Sequence, residues 1–313
     1  MIRQTRSGAE PHPIPARLNL AVLALQLAAL FSCFYAAAHV SRWWQLALLA
    51  LGFAVLMNAV YAVIHEAQHG MLLPNARAND LAGALMSVFF PAPFHLVRQG
   101  HIGHHLRNRS DDEAFDLYFD GDHVVWKYLQ LYGILTGCFY VVVVLSNVVA
   151  VFFPFVMRRQ FVEFDRPSAA FMDALNPKYA RLIAVEGIVT VAAHVAIVLS
   201  FGIPVLNYLA LYAAFGFVWS AMQYVHHYGT ERDVVKGARN LWIWGPLDRL
   251  WLNHNWHQTH HQHPTVPWTY LPGLGRVENP ERGFLPWAYL KMWRGPRRTD
   301  EHVENKHAGQ IIQ

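Results

Sequence analysis

Residues 44–69 read WQLALLALGFAVLMNAVYAVIHEAQH. The uncharged run 44–64 leads straight into a histidine pair, His65 and His69. A helix needs about 20 apolar residues to cross a bilayer. The stretch therefore predicts a membrane span that carries two imidazoles to the membrane surface. Residues four apart lie on one helix face, one turn from each other, so the pair can grip one ion together.

Other segments repeat the pattern. Residues 18–38 are a second span candidate, joined to 44–64 by the short link HVSRW, so the two predict a hairpin. Residues 182–202 and 205–225 predict another, turned at the FGIP corner. Residues 81–97 are apolar but interrupted by Pro91 and Pro93, which predicts a short or re-entrant piece rather than a full crossing. Residues 128–156 are long enough to cross, yet the histidines fall on one side of the membrane only if this stretch does not. It is expected as an interfacial or half-membrane helix pair. The expected fold is an all-α integral membrane protein: about four transmembrane helices in two hairpins, short interfacial or re-entrant helices, and a cytosolic histidine-rich cap. The expected division is an N-terminal cytosolic tail at 1–17, one membrane domain at 18–293, and a charged, poorly ordered tail at 294–313.

Composition agrees. The 313 residues are 54% hydrophobic and 15% charged, against roughly 25% charged in soluble domains. The net charge of +4 does not suggest nucleic acid, because the cations flank apolar runs. Arg3, Arg6, Arg17, Arg98, Arg107, Arg109, Lys127, Arg158, Arg159, Lys178 and Arg181 fall on one side of the expected topology, and Arg42 alone on the other. Lys and Arg mark the cytoplasmic face, so both termini and the histidines are expected there, in a bacterial inner membrane. The N-terminus lacks a secretory cleavage site after a short apolar core, so the first span is expected to remain as an anchor. Cys33 and Cys138, both in apolar runs, are expected as small buried hydrophobes, and no Cys-x-x-Cys pair exists. Trp242, Trp244, Trp251, Trp256 and Trp268 are expected at the membrane interface.

Two further boxes follow the first. HIGHH supplies His101, His104 and His105, and HQTHH supplies His257, His260 and His261. In each, the first histidine shares a helix face with both others. Imidazole suits iron, zinc, copper and nickel. Eight histidines exceed the four to six ligands of one ion, so two metals are the natural count. His227, in QYVHH at the end of the last span, is a ninth candidate. Gln223, one turn earlier, is placed to hold a metal-bound water. His226, His254, His263, Glu66 and Asp248 are candidates for ligation or for orienting ligands from behind. Asp111, Asp112, Glu113 and Asp116 are placed to bond box histidines or pair with Arg107 and Arg109. Those two arginines and Arg98 are candidate contacts for an acidic substrate headgroup. His12, His39, His95, His123, His194, His302 and His307 are isolated and not expected as ligands.

HEAQH, HIGHH and NWHQTHHQHP, in this order and separated by hairpins, resemble the membrane-bound fatty acid desaturase and hydroxylase superfamily over residues 44–270. The resemblance implies a mushroom-like four-span fold and a non-haem di-iron centre on the cytosolic face, using O2 and two electrons. It makes iron ligands of His65, His69, His101, His104, His105, His257, His260 and His261, with His227 as the additional ligand. Gln223 stands where some members carry a water-holding Asn.

The implied reaction is oxidation of an unactivated C–H bond of a lipid chain, foremost fatty acyl desaturation. The substrate would be acyl-CoA, acyl-carrier protein, free acid or a lipid-bound chain. Hydroxylation, ketolation of a carotenoid, and oxidative decarboxylation to a terminal alkene share the same boxes. HQHPTVPW is similar to the carotenoid branch. No haem domain, flavin fingerprint or rubredoxin is fused to the chain, so electrons are expected from an external ferredoxin, rubredoxin or cytochrome with its reductase. A metal transporter or sensor is the reading from another class. It needs ionisable groups inside the spans, where only Glu186 and His194 qualify.

Overall fold

The computed structural model describes residues 12–312. Residues 1–11, most of the expected N-terminal tail, lie outside the described residues. The chain is helical, and four helices are long and apolar enough to cross a membrane. The first hairpin is α1 (Ala16–His39) and α2 (Trp43–Gln68). A pair bent by 101° follows, α3 (Ala76–Phe89) and α4 (Phe94–Arg107). Pro91 and Pro93 fall in its break, as proline denies the helix a donor and clashes with the preceding turn.

The next pair, α5 (Val124–Leu135) and α6 (Cys138–Phe152), is bent by 91°. The stretch expected not to cross as a straight span is thus two helices. Gly137 makes the corner, at φ 91°, where a non-glycine residue costs about 1–2 kcal/mol. A Cβ there would also lie 3.0 Å from the Phe217 backbone. Gly137→Ala is therefore expected to destabilise the protein by at least about 1–2 kcal/mol, read as a lowered unfolding temperature in detergent. An unchanged temperature would show that the corner tolerates a side chain.

The short α7 (Arg166–Ala174) precedes the second hairpin, α8 (Ala180–Phe201) and α9 (Val205–Val225). The α2 helix is central, packed on α1, α3, α4 and α9. From Met57 to Gln68 every α2 residue is buried, whereas Leu25, Leu51, Val141, Leu199 and Leu206 point outward. Two polar side chains of α1 are spent on backbone acceptors. The Gln26 amide donates to the Ala59 carbonyl at 3.0 Å, and the Asn19 amide to that of Leu72 at 2.8 Å. Such bonds contribute roughly 0.6–2 kcal/mol each between membrane helices.

The chain after α9 folds over one end of the bundle as a cap. Its helices are α10 (Gly245–Leu250), α11 (His257–Gln262), α12 (Leu271–Glu278) and α13 (Leu285–Met292). Two short parallel pairs tie it down: Leu117–Tyr118 with Arg297–Arg298, and Leu241–Trp242 with Gly283–Phe284.

Three expectations are corrected. The residues from Arg294 are not a loose tail. Arg297 N–H donates to the Asp116 carbonyl at 2.8 Å, Val303 N–H to Asp111 at 2.9 Å, and Ile312 N–H to the Ala174 carbonyl at 2.9 Å, with Ile312 buried. Charge alone suggested disorder, but the partners lie far away in the chain, at Asp111, Asp116 and Ala174. Trp251, Trp256 and Trp268 are buried, while Trp242 and Trp244 are exposed. Trp251 donates to the Val55 carbonyl and Trp268 to Asn19, so these two pin the cap to the spans. Cys33 is half-buried and Cys138 exposed, because both sit on helix faces turned partly outward.

Candidate metal centre

Each box is set by the helix that carries it. His65 lies in the last turn of α2 and His69 caps it. Behind them the buried Asn79 clamps the exit. Its amide donates to the Ala67 carbonyl at 2.9 Å, and its oxygen accepts from Leu72 N–H at 3.1 Å. The second box ends α4 and the third forms α11, while His227 follows α9.

The nine histidines gather into two groups. One holds His65, His69, His101, His105 and His260; the other holds His104, His227, His257 and His261. Within each group the ligand nitrogens all lie within 4.8 Å of one another. Nε2–Nε2 separations are 2.7 Å for His69 and His101, 3.2 Å for His101 and His105, 3.1 Å for His105 and His260, and 3.0 Å for His227 and His257. Nitrogens bound at roughly 2.0–2.1 Å around one ion stand about 2.9–3.4 Å apart when adjacent. The groups abut, with the rings of His105 and His261 stacked at 4.2 Å.

The donors fit cations on a second count. His65 Nε2, His257 Nδ1 and both nitrogens of His261 are buried without a hydrogen-bond partner. One such atom costs about 1–3 kcal/mol. Burial first, then neighbouring imidazoles, hold His227, His257, His260 and His261 well below the usual histidine pKa. They are therefore neutral, the form that binds a metal.

The remaining candidates take varied places. His227 Nδ1–H donates to the Gly237 carbonyl at 2.9 Å, which turns its Nε2 to the group. His104 Nδ1–H donates to Glu113, and Arg107 Nε lies 2.6 Å from the same carboxylate. Burial would raise the Glu113 pKa, but Arg107 and His104 outweigh it and hold it below the usual carboxylate range. His226 is fully buried, its ring centroid 4.5 Å from that of His257, and its Nε2 is 3.2 Å from the Asn255 side-chain oxygen. Burial pushes its pKa down to about 3. His254 has its ring 4.9 Å from His65 and 5.0 Å from His257, so it sits between the groups.

Glu66 accepts the backbone N–H of Trp268 at 3.2 Å. With His65, His254 and His260 it lines a cavity of about 10 Å³, room for roughly one water. A larger cavity, about 210 Å³, lies on the other side of α4, against α7 and the last residues, and no box histidine lines it.

Other candidates are turned elsewhere. Gln223 accepts from the Tyr61 hydroxyl at 3.4 Å and donates to the Trp219 carbonyl at 3.1 Å, so it faces down the bundle. His263 pairs with Glu278 at 2.6 Å on the surface. Asp248 bonds Asn255 at 2.5 Å and Arg282 at 2.7 Å, so it buttresses the third box through Asn255 and not through a histidine. Arg107 and Arg109 are buried and committed internally, Arg109 to Asp116, Tyr224 and the Thr230 carbonyl. Arg109 is enclosed by these partners, while Arg107, paired with Glu113 through Nε, also lines the larger cavity. Arg98 pairs with Asp80 at 3.0 Å. Sequence reading missed Gly237, a backbone carbonyl that no side-chain pattern announces, and Asn255, whose place two residues before His257 was the available signal.

The mid-span groups do not form a pathway. Glu186 accepts from His95 at 2.6 Å and from its backbone N–H at 3.0 Å, and His194 bonds Tyr208 and the Val88 carbonyl. Both tie α8 to its neighbours.

No curated protein matches the chain. The model of the family described as "Fatty acid desaturase" matches residues 41–296, from just before α2 to just beyond α13, and takes in every histidine of both groups. That family consists of membrane-bound oxidoreductases acting on lipid chains and known for iron use. The chain belongs to the fatty acid desaturase family.

Proposed function

We propose that this chain is a di-iron enzyme that uses O2 to desaturate a fatty acyl chain. The supporting observation is the pair of abutting all-imidazole groups, five and four, at the ends of apolar spans. His65, His69, His101, His105 and His260 would hold one iron, and His104, His227, His257 and His261 the other. Bound iron supplies the oxidising power to remove hydrogen from an unactivated C–H bond. The chain's own part is to hold the imidazoles neutral, to orient His104 and His227 through Glu113 and Gly237, and to exclude water. Exclusion of water strengthens electrostatic interactions and suppresses side reactions.

The balance of the reaction assigns the partners. Removing two hydrogens from adjacent carbons while O2 becomes two waters needs two further electrons and two protons. An external ferredoxin, rubredoxin or cytochrome with its reductase supplies the electrons. The basic residues flanking the spans support a cytoplasmic position for the metal groups, in our reading on a bacterial inner membrane, and complementary charge would steer an acidic donor to that face.

Product analysis tests this reading. The chain is expressed in a host with a reductase system, and fatty acids, alkenes and pigments are resolved by mass spectrometry. A new acyl double bond is expected. An unchanged acyl profile with an altered pigment, from iron-loaded protein, would replace the acyl reading with a carotenoid one.

A further inference from the structure

The two metal groups are not supported alike. Behind the four-histidine group, Glu113 accepts the Nδ1–H of His104, and Arg107 Nε lies 2.6 Å from its second oxygen as an ion pair. Both side chains are buried. His227, in the same group, donates its Nδ1–H to the Gly237 carbonyl. Among the described residues, no carboxylate bonds an imidazole of the five-histidine group.

The geometry points to Glu113 as the positioning residue of the four-histidine metal, and hence to two ions held unequally. This rests on the two-metal reading above. A histidine that donates Nδ1–H to a carboxylate is locked in one tautomer and one ring orientation, and its free Nε2 becomes a better donor to a metal. Arg107 is three residues after His104 on α4, so it presents its guanidinium beside the same ring. It pairs with the carboxylate and fixes it. Glu113 itself is held by the turn after α4, where its N–H donates to the Ser110 carbonyl at 3.0 Å. The whole device spans ten residues and touches one ligand of one group. Its removal therefore weakens one ion and spares the other. Partners of this kind change metal affinity by about 10–100-fold.

The test is release of iron from the purified full-length protein to a chelator, followed with Mössbauer spectra of 57Fe-loaded samples. Wild-type protein is expected to hold two irons per chain. In Glu113→Ala, one iron leaves about 10–100-fold faster and the other at the wild-type rate, with one spectral component lost first. The retained iron is an internal control for folding. Glu113→Gln keeps an acceptor for His104 but not the charge, so it is expected to release that iron at an intermediate rate with a shifted spectral component. Release of both irons from either variant at wild-type rates overturns the assignment. So does joint acceleration of both. Wild-type protein with fewer than two irons overturns the two-metal reading itself, and this assignment with it.

Discussion

His104→Ala and His260→Ala should each abolish product formation, and each should leave a different iron behind. His260 belongs to the five-histidine group and His104 to the other. Loss of either takes a ligand from one group while the other keeps its set, so iron should fall below two per chain, further for His104→Ala, which leaves three imidazoles, than for His260→Ala, which leaves four. The control is His302→Ala. His302 is exposed, donates to Asp111 at 2.7 Å and stacks on Phe119, away from both groups. It should keep full activity and both irons. Turnover of the acyl substrate with a reductase system, alongside iron analysis of each variant, reads all three. Activity above background in either ligand variant would remove that histidine from the centre.

Arg109→Met is expected to cause the largest loss of stability. Arg109 is among the most buried side chains of the protein, in the left-handed region at φ 61°. Its guanidinium meets Asp116, the Tyr224 hydroxyl at 2.7 Å and the Thr230 carbonyl at 3.0 Å. Asp116 also accepts the Gly229 N–H at 2.7 Å and the Tyr224 hydroxyl at 2.6 Å. These contacts join the turn after the second box, the end of the last span and the loop that follows His227. Breaking a buried pair from one side leaves an uncompensated charge and costs about 3–5 kcal/mol. The unfolding temperature in detergent should drop sharply, and the four-histidine group should lose order with it. An Arg109→Met protein as stable as wild type would show that Asp116 is neutral or solvated.

The membrane architecture was legible because one property decides it. Length and hydropathy alone mark α1, α2, α8 and α9, prolines mark the first bend, and the second was expected only because the histidines had to share one side; Gly137 as its corner was not read from the sequence. The nine ligand candidates were legible too, but not how they divide. The structure shows a rule that the spacing already contained. His65 with His69, His101 with His105, and His257 with His261 are each four apart and share a group. The middle histidine of each later box, His104 or His260, crosses to the other group. On a helix, four residues advance a side chain by about 40° and three fall short of the turn by about 60°. Both fit one broad face, so helical spacing by itself admitted either partner.

The cap was not legible, for a different reason. Its positions are set by single bonds across long stretches of chain, such as Trp268 to Asn19 at 2.9 Å and Trp251 to Val55 at 3.0 Å. No local pattern encodes them. Arg107 and Arg109 had an acidic run beside them in the sequence, but which carboxylate each takes, Glu113 and Asp116, is settled only when the turn after α4 closes. The same closure brings Glu113 to His104, a contact that was one of several open to the acidic run.

In the proposed centre nine imidazoles hold two irons. Iron analysis of the purified, full-length protein decides this, with Mössbauer spectra to count distinct sites. Two irons per chain are expected to survive purification, in two nitrogen-rich environments. One loosely held zinc, with no iron retained after loading, would contradict it.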